Sequence, residues 1–217
     1  MKIKEILIEI SNKGKIYDEL LNANNSDNVN EIILSKLSED YETMNSSSFN
    51  KANLIKEVRH KVKTEKINEI FDLLPVEYNK KNIVISKING PYKQPDFIVL
   101  EKFNQIKIEI KFNKSKSAKV PVWNSVAPNY KTLYIFINAN NLSGDITFFK
   151  GSDFIKHDDV LKMNNLVNEY KNILKNEGSK INTDFSLYLR PMYVQKGNIF
   201  SNINRDKLEK TVINSFI

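Results

Sequence analysis

The spacing of apolar residues divides the chain into helical and extended parts. Apolar side chains recur every three or four positions in three N-terminal stretches, which predicts helices at 3–10, 29–37 and 50–74. The period then shortens to alternating or continuous apolar residues, which predicts strands at 82–88, 96–103, 106–112, 132–138 and 145–149. Helical spacing returns at 156–176 and 204–216, and edge strands are expected between them at 185–189 and 193–195.

Helices followed by strands and then by helices predict an α/β (α+β) fold, with a mixed central β-sheet flanked by helices. The segment 132–138 is almost wholly apolar, as expected of a central strand that is covered on both faces. The 217 residues suit a single domain. Within it, residues 1–48 are a possible helical N-terminal subdomain, and residues 50–150 carry the core.

Composition excludes several kinds of site. The chain has no cysteine and only two histidines, His60 and His157. Disulfides, thiolate metal sites, cysteine nucleophiles and three-histidine zinc sites are therefore excluded. There is also no Gly-Lys-Ser/Thr phosphate loop and no nucleophile elbow, so an ATP-driven enzyme and an α/β-hydrolase are disfavoured.

Charge and hydropathy bear on partners and location. Lys and Arg number 33 against 26 Asp and Glu, a formal net charge of +7 that favours an anionic partner. The chain is also rich in Lys, Asn and Ile, as an AT-rich genome produces by itself, so this charge raises the case for nucleic acid only modestly. No run approaches 18 apolar residues, and the N-terminus does not resemble a signal peptide. We therefore expect no membrane association and a cytoplasmic location.

One pair of predicted strands carries candidate chemistry. In the second strand Glu109 and Lys111 alternate with Ile110 and so share one face, about 7 Å apart. Asp96 begins the preceding strand; a four-residue turn would place it opposite Lys111, and a register shifted by two would place it opposite Glu109. In both cases two carboxylates and an ammonium converge. With the carbonyl of Ile110, the carboxylates of Asp96 and Glu109 supply the hard oxygen ligands that Mg²⁺ prefers, and Lys111 can position a water and stabilise negative charge.

Pro95-Asp96, twelve further residues and then Glu109-Ile110-Lys111 resemble the PD-(D/E)xK nuclease superfamily, most closely its type II restriction endonucleases. The resemblance implies a restriction-endonuclease-like fold and Mg²⁺-dependent hydrolysis of phosphodiester bonds within a short sequence of double-stranded DNA. In that family the Asp, Glu and Lys are the metal and water residues, here Asp96, Glu109 and Lys111. An upstream helix often adds an acidic residue, for which Glu57 is the natural match and Glu65 and Glu69 are competitors.

The same resemblance extends to partners. A palindromic target would imply a homodimer, with the N-terminal helices or the C-terminal segment supplying the contact. Candidate DNA contacts follow the motif, where lysines alternate with hydroxyl-bearing residues, and they are Lys114, Lys116, Lys119 and Asn124.

Two alternatives stay open. One keeps the chemistry but acts on branched or damaged DNA, as a structure-selective repair, recombination or phage nuclease. The other is a non-catalytic basic DNA-binding protein, in which the three charged residues of the motif form a solvated charge ladder.

Overall fold

A computed structural model describes residues 2–45, 48–49, 52–74, 78, 82–88, 95–101, 104–114, 121–124, 126–140, 144–178, 190–194 and 198–216. The helices within these ranges are α1 (Lys2–Ser11), α2 (Lys15–Leu21), α3 (Ser26–Leu37), α4 (Ala52–Thr64), α5 (Ile67–Leu73), α6 (His157–Gly178) and α7 (Arg205–Asn214). The strands are β1 (Glu42–Asn45), β2 (Ile83–Ser86), β3 (Phe97–Glu101), β4 (Asn104–Asn113), β5 (Val122–Asn124), β6 (Leu133–Asn138), β7 (Asp145–Lys150) and β8 (Met192–Val194).

Six strands form the central sheet in the order β1-β2-β3-β4-β6-β7. The pairs β1–β2 and β4–β6 are parallel, and the other neighbours are antiparallel. All six residues of β6 are buried, as its apolar sequence predicts. The predicted mixed sheet flanked by helices is therefore confirmed. A separate antiparallel ribbon joins β5 to β8.

The two faces of the sheet are covered by different helices. Residues of α1, α2, α3 and α7 form one core with alternate residues of β3 and β4, among them Val99 and Ile108. Residues of α4 and α5 pack on the opposite face against Ile83 and Ile98. Alternation along each strand decides which side chains meet which layer, because successive residues point to opposite faces.

The helix predicted at 50–74 is two helices, α4 and α5. Glu65 has a φ of 58°, a left-handed conformation that a continuous helix does not contain. The Lys66 N–H donates to the Lys61 carbonyl at 3.1 Å, which caps α4 as in a Schellman motif. Sequence periodicity missed the break because apolar spacing continues across it and no glycine marks it.

The structure of residues 1–48 differs in two respects from the helical N-terminal subdomain that the sequence predicts. Its last residues, Glu42–Asn45, form β1 and pair with β2, and its helices share a core with the sheet. The short strand β5 was also not predicted. The predicted strand at 185–189 lies outside the described residues, whereas β8 confirms most of the one at 193–195. None of the described helices is long and apolar enough to cross a membrane.

Candidate active site

Strand β4 places acidic and basic side chains on one face because its residues alternate. Ile108 and Ile110 point into the core beneath α1–α3, so Glu109 and Lys111 point to the opposite face. Phe97 pairs with Ile108 across the β3–β4 ladder. One step further along this register, Asp96 lies opposite Glu109, which is the second of the two alternatives open from the sequence.

Backbone contacts on both sides fix the position of Asp96. Its Oδ2 accepts a hydrogen bond from the Ile110 N–H at 2.7 Å, and its carbonyl accepts one from the Lys87 N–H at 2.9 Å. Lys87 has a φ of 49°, a left-handed conformation uncommon outside glycine. Strained residues of this kind concentrate at functional sites, and this one holds the backbone of Asp96.

The carboxyl group of Glu109 is buried and only half satisfied. The residue is 6% exposed, and its Oε1 accepts from Lys111 Nζ at 2.8 Å. Its Oε2 is buried and has no hydrogen-bond partner among the described residues. Burial, followed by the negative charge of Asp96, raises the pKa of Glu109 to about 7, although Lys111 acts in the opposite direction.

Asp96 shares this environment. Burial raises its pKa above the ordinary value, and the Ile110 N–H and Lys111 only partly offset that effect. Two neighbouring carboxyl groups whose pKa values are both raised form a site where a cation can replace a proton.

The residues present fit a hard divalent cation. The unsatisfied Glu109 Oε2 and the Asp96 carboxylate are oxygen donors of the type that Mg²⁺ prefers. The Ile110 carbonyl is a third donor, because in a strand the N–H and C=O of one residue point to the same side, here towards Asp96. The described residues contain no cluster of three or more His, Cys, Asp or Glu side chains, so water and phosphate oxygens would have to complete the coordination.

An aromatic cluster supports Lys111. Its Nζ lies 5.8 Å from the centroid of the Trp123 ring, within the range of a cation–π contact. Trp123 is 1% exposed and packs edge-on against Tyr134 and Phe136 of β6. The tryptophan on β5 is thus a core residue, and it limits the positions that the lysine side chain can take.

The upstream acidic candidates do not join this site. Glu57 is exposed on α4 and has no hydrogen bond or ion pair with the described residues. Glu65 is 2.6 Å from Lys131, and hydrogen bonding to this lysine keeps the pKa of Glu65 low. Glu69 pairs with Lys66 at 2.9 Å and also with Lys61. The structure therefore brings together Asp96, Glu109, Ile110 and Lys111, but not the predicted helix carboxylate.

The candidate DNA contacts are only partly described. Lys114 is exposed at the end of β4. Asn124 lies on β5 and, with Lys111 and Asn113, lines a cleft of about 230 Å³. Lys116 and Lys119 lie outside the described residues.

Sequence reasoning missed Asn30, which belongs to α3. Its side chain faces Asp96 and lowers the pKa of that carboxyl, and its Oδ1 is buried without a partner among the described residues. Asn30 therefore adds a neutral polar group to the acidic pair. In a chain with many asparagines, no local pattern distinguishes this one, and only the packing of α3 beside β4 identifies it.

Comparison with known proteins adds no relative. No protein-family description, no curated protein and no solved structure matches the chain. The geometry of the site is therefore the basis on which a function can be inferred.

Proposed function

We propose that the protein is a Mg²⁺-dependent nuclease that hydrolyses phosphodiester bonds in DNA, with a restriction-endonuclease-like fold. The observation that carries this proposal is the pair formed by the buried Glu109 and the partly buried Asp96, with Lys111 bonded to one glutamate oxygen and the other oxygen unsatisfied among the described residues. The mixed sheet flanked by helices is consistent with the PD-(D/E)xK superfamily.

The site residues divide the work of hydrolysis. Asp96, Glu109 and the Ile110 carbonyl would hold Mg²⁺, which when bound neutralises phosphate charge and lowers the pKa of a bound water. Lys111 orients the attacking water and stabilises the negative charge that develops on the phosphate oxygens. Water oxygen bonds to phosphorus, the phosphorus–oxygen ester bond breaks, and the leaving oxygen ends protonated.

The proposed substrate is a short specific sequence in double-stranded DNA. The net charge of +7 favours a polyanion, and a solvated charge ladder, as expected of a non-catalytic binding protein, would not bury Glu109. A structure-selective nuclease would use the same residues, and only the form of DNA that is cleaved distinguishes the two.

A palindromic target requires two active sites, so the proposal includes a homodimer. Helix α6 offers the contact better than the N-terminal helices, whose apolar residues are buried in the core. No residue of α6 is buried, and Leu166, Tyr170 and Ile173 are 55%, 61% and 55% exposed.

The decisive experiment uses unmethylated phage DNA. The protein with Mg²⁺ should give discrete fragments, whereas EDTA or the Lys111→Ala variant should give none. Discrete fragments identify sequence specificity, and cleavage of branched but not linear duplex would identify the structure-selective alternative. Cleavage that survives both Lys111→Ala and Asp96→Ala would refute the assigned site. Sedimentation velocity tests the dimer, which Leu166→Glu should convert to monomer.

A further inference from the structure

A second, larger cleft lies beside the candidate active site. It has a volume of about 840 Å³ and opens between α4 and the first turns of α6. Pro95 and Lys107 contribute to its lining, and each is close in sequence to an active-site carboxylate. The cleft therefore lies near the Asp96–Glu109 pair.

The described lining of this cleft carries cationic and imidazole groups but no carboxylate. These side chains are Arg59, His60, Lys63, Lys107 and His157. His60 and Lys63 are exposed on α4, and the Arg59 Nε donates to the Ile88 carbonyl at 2.7 Å, which holds the guanidinium in place. A concave basic surface of this kind attracts a polyanion.

Acidic groups near the cleft do not line it. Glu65 lies 3.7 Å from Lys107, but it also forms an ion pair with Lys131, 2.6 Å away. Asp158 and Asp159 follow His157 on α6 and are exposed. These carboxylates reduce the local positive charge without closing the cleft.

The polar face of β4 connects this cleft with the smaller one. Lys107, Glu109, Lys111 and Asn113 alternate along that face; the first lines the large cleft, and the last two line the small one. The six steps along the strand from Lys107 to Asn113 span roughly 20 Å, about six base-pair steps of duplex. The carboxylate pair thus lies between two clefts of different character, one basic and one rich in asparagine.

We propose that the α4–α6 cleft binds the phosphate backbone of duplex DNA on one side of the bond that is cleaved. This inference rests on the proposed nuclease function. Lysine, arginine and histidine side chains contact phosphates without reading sequence, so this cleft positions the duplex, while the asparagines of the smaller cleft are suited to contact base edges.

Fluorescence anisotropy with a labelled duplex of about 20 base pairs, in EDTA so that cleavage cannot occur, tests this assignment. Lys63→Glu should weaken binding about tenfold, and Lys63→Gln should reduce the slope of log affinity against log salt by about one. The matched control is Lys210→Glu, an exposed position on α7 at the opposite face of the sheet, which should change affinity less than twofold.

The outcomes separate this inference from the nuclease proposal. Equal weakening by Lys63→Glu and Lys210→Glu, or none by either, would overturn the cleft assignment even if the protein cleaves DNA with Mg²⁺. Selective weakening by Lys63→Glu supports the cleft, including in a protein that binds DNA and cleaves none, which would refute only the nuclease. Circular dichroism confirms that both variants are folded.

Discussion

Two acidic pairs in this protein, each with a buried glutamate and a partly buried aspartate, have opposite electrostatic character. Glu209 and Glu109 are each 6% exposed, and each has a neighbouring aspartate and a basic partner. At the first pair Arg205 bridges both acids, bonding Glu209 at 2.9 Å and Asp145 at 3.0 Å. At the second pair Lys111 forms an ion pair with Glu109 but not with Asp96.

Additional donors complete the Arg205 cluster. Thr147 Oγ1 donates to Glu209 at 2.6 Å, and Tyr17 and the Ile146 N–H donate to Asp145 at 3.2 and 2.8 Å. Burial alone would raise the pKa of Asp145, but the bonds and charge of Arg205 outweigh it and lower that pKa. The cluster stabilises the packing of α7 against β7, and its carboxylates need no additional cation.

The Asp96–Glu109 pair lacks that compensation. Burial keeps both pKa values raised, and Glu109 Oε2 has no partner among the described residues. Equal burial with unequal satisfaction separates a structural acid cluster from one suited to bind a cation.

Removing the basic side chain of each pair, Arg205 or Lys111, should give the largest difference in stability between the two pairs. Arg205→Ala leaves the buried Glu209 and the partly buried Asp145 without their cation and should lower the free energy of unfolding by about 3–5 kcal/mol. Lys111→Ala should cost less than about 1 kcal/mol at pH 7, because Glu109 can take a proton instead. Urea unfolding followed by the fluorescence of Trp123, the single tryptophan, measures both. Similar losses of unfolding free energy in the two variants would show that the two acidic pairs do not differ in how they are compensated.

Neutralising each glutamate should change stability in opposite directions. The folded pKa of Glu109, about 7, exceeds its usual 4.5, so the folded state holds the proton of Glu109 more tightly than the unfolded state does. The resulting contribution to stability is fully present below pH 4.5 and is lost as the pH rises through 7. Glu109→Gln should therefore stabilise the protein at pH 8 by about 1–3 kcal/mol and change little at pH 4.5. Glu209→Gln is the matched control and should destabilise it at pH 8. Destabilisation at pH 8 by both substitutions would show that Glu109 is a structural residue.

The contrast between the clusters also explains what the sequence could predict. Alternation along β4 placed Glu109 and Lys111 on one face, and the short turn before it limited Asp96 to two registers. The Arg205–Asp145 bond joins residues 60 positions apart, and Asn30 meets Asp96 through the packing of α3; neither contact has a local pattern. The break between α4 and α5 at Glu65 was missed for a related reason. A left-handed backbone conformation at a glutamate does not change the spacing of apolar residues along the chain.

Metal binding should be linked to proton release at the Asp96–Glu109 pair and not at the Asp145–Glu209 pair. Because Glu109 holds a proton below pH 7, Mg²⁺ or Mn²⁺ affinity should fall about tenfold per pH unit below that value. Isothermal titration calorimetry in two buffers of different ionisation enthalpy should show about one proton released per ion at pH 6 and almost none at pH 8. Glu109→Gln should abolish the binding, whereas Arg205→Lys should preserve it. An affinity independent of pH would contradict the raised pKa.

The smallest effect is expected at Glu57, the carboxylate that the sequence placed on the upstream helix. It is exposed and unpaired among the described residues, so it lacks the burial that distinguishes the Asp96–Glu109 pair. Glu57→Gln should change the rate of Mg²⁺-dependent DNA cleavage less than about threefold, whereas Asp96→Asn should lower it by about 10²–10⁴. Single-turnover cleavage with excess enzyme compares the variants without a contribution from product release. A loss at Glu57 as large as at Asp96 would mean that an exposed carboxylate enters the site when DNA binds. Burial in the free protein would then be an incomplete guide to which acids act.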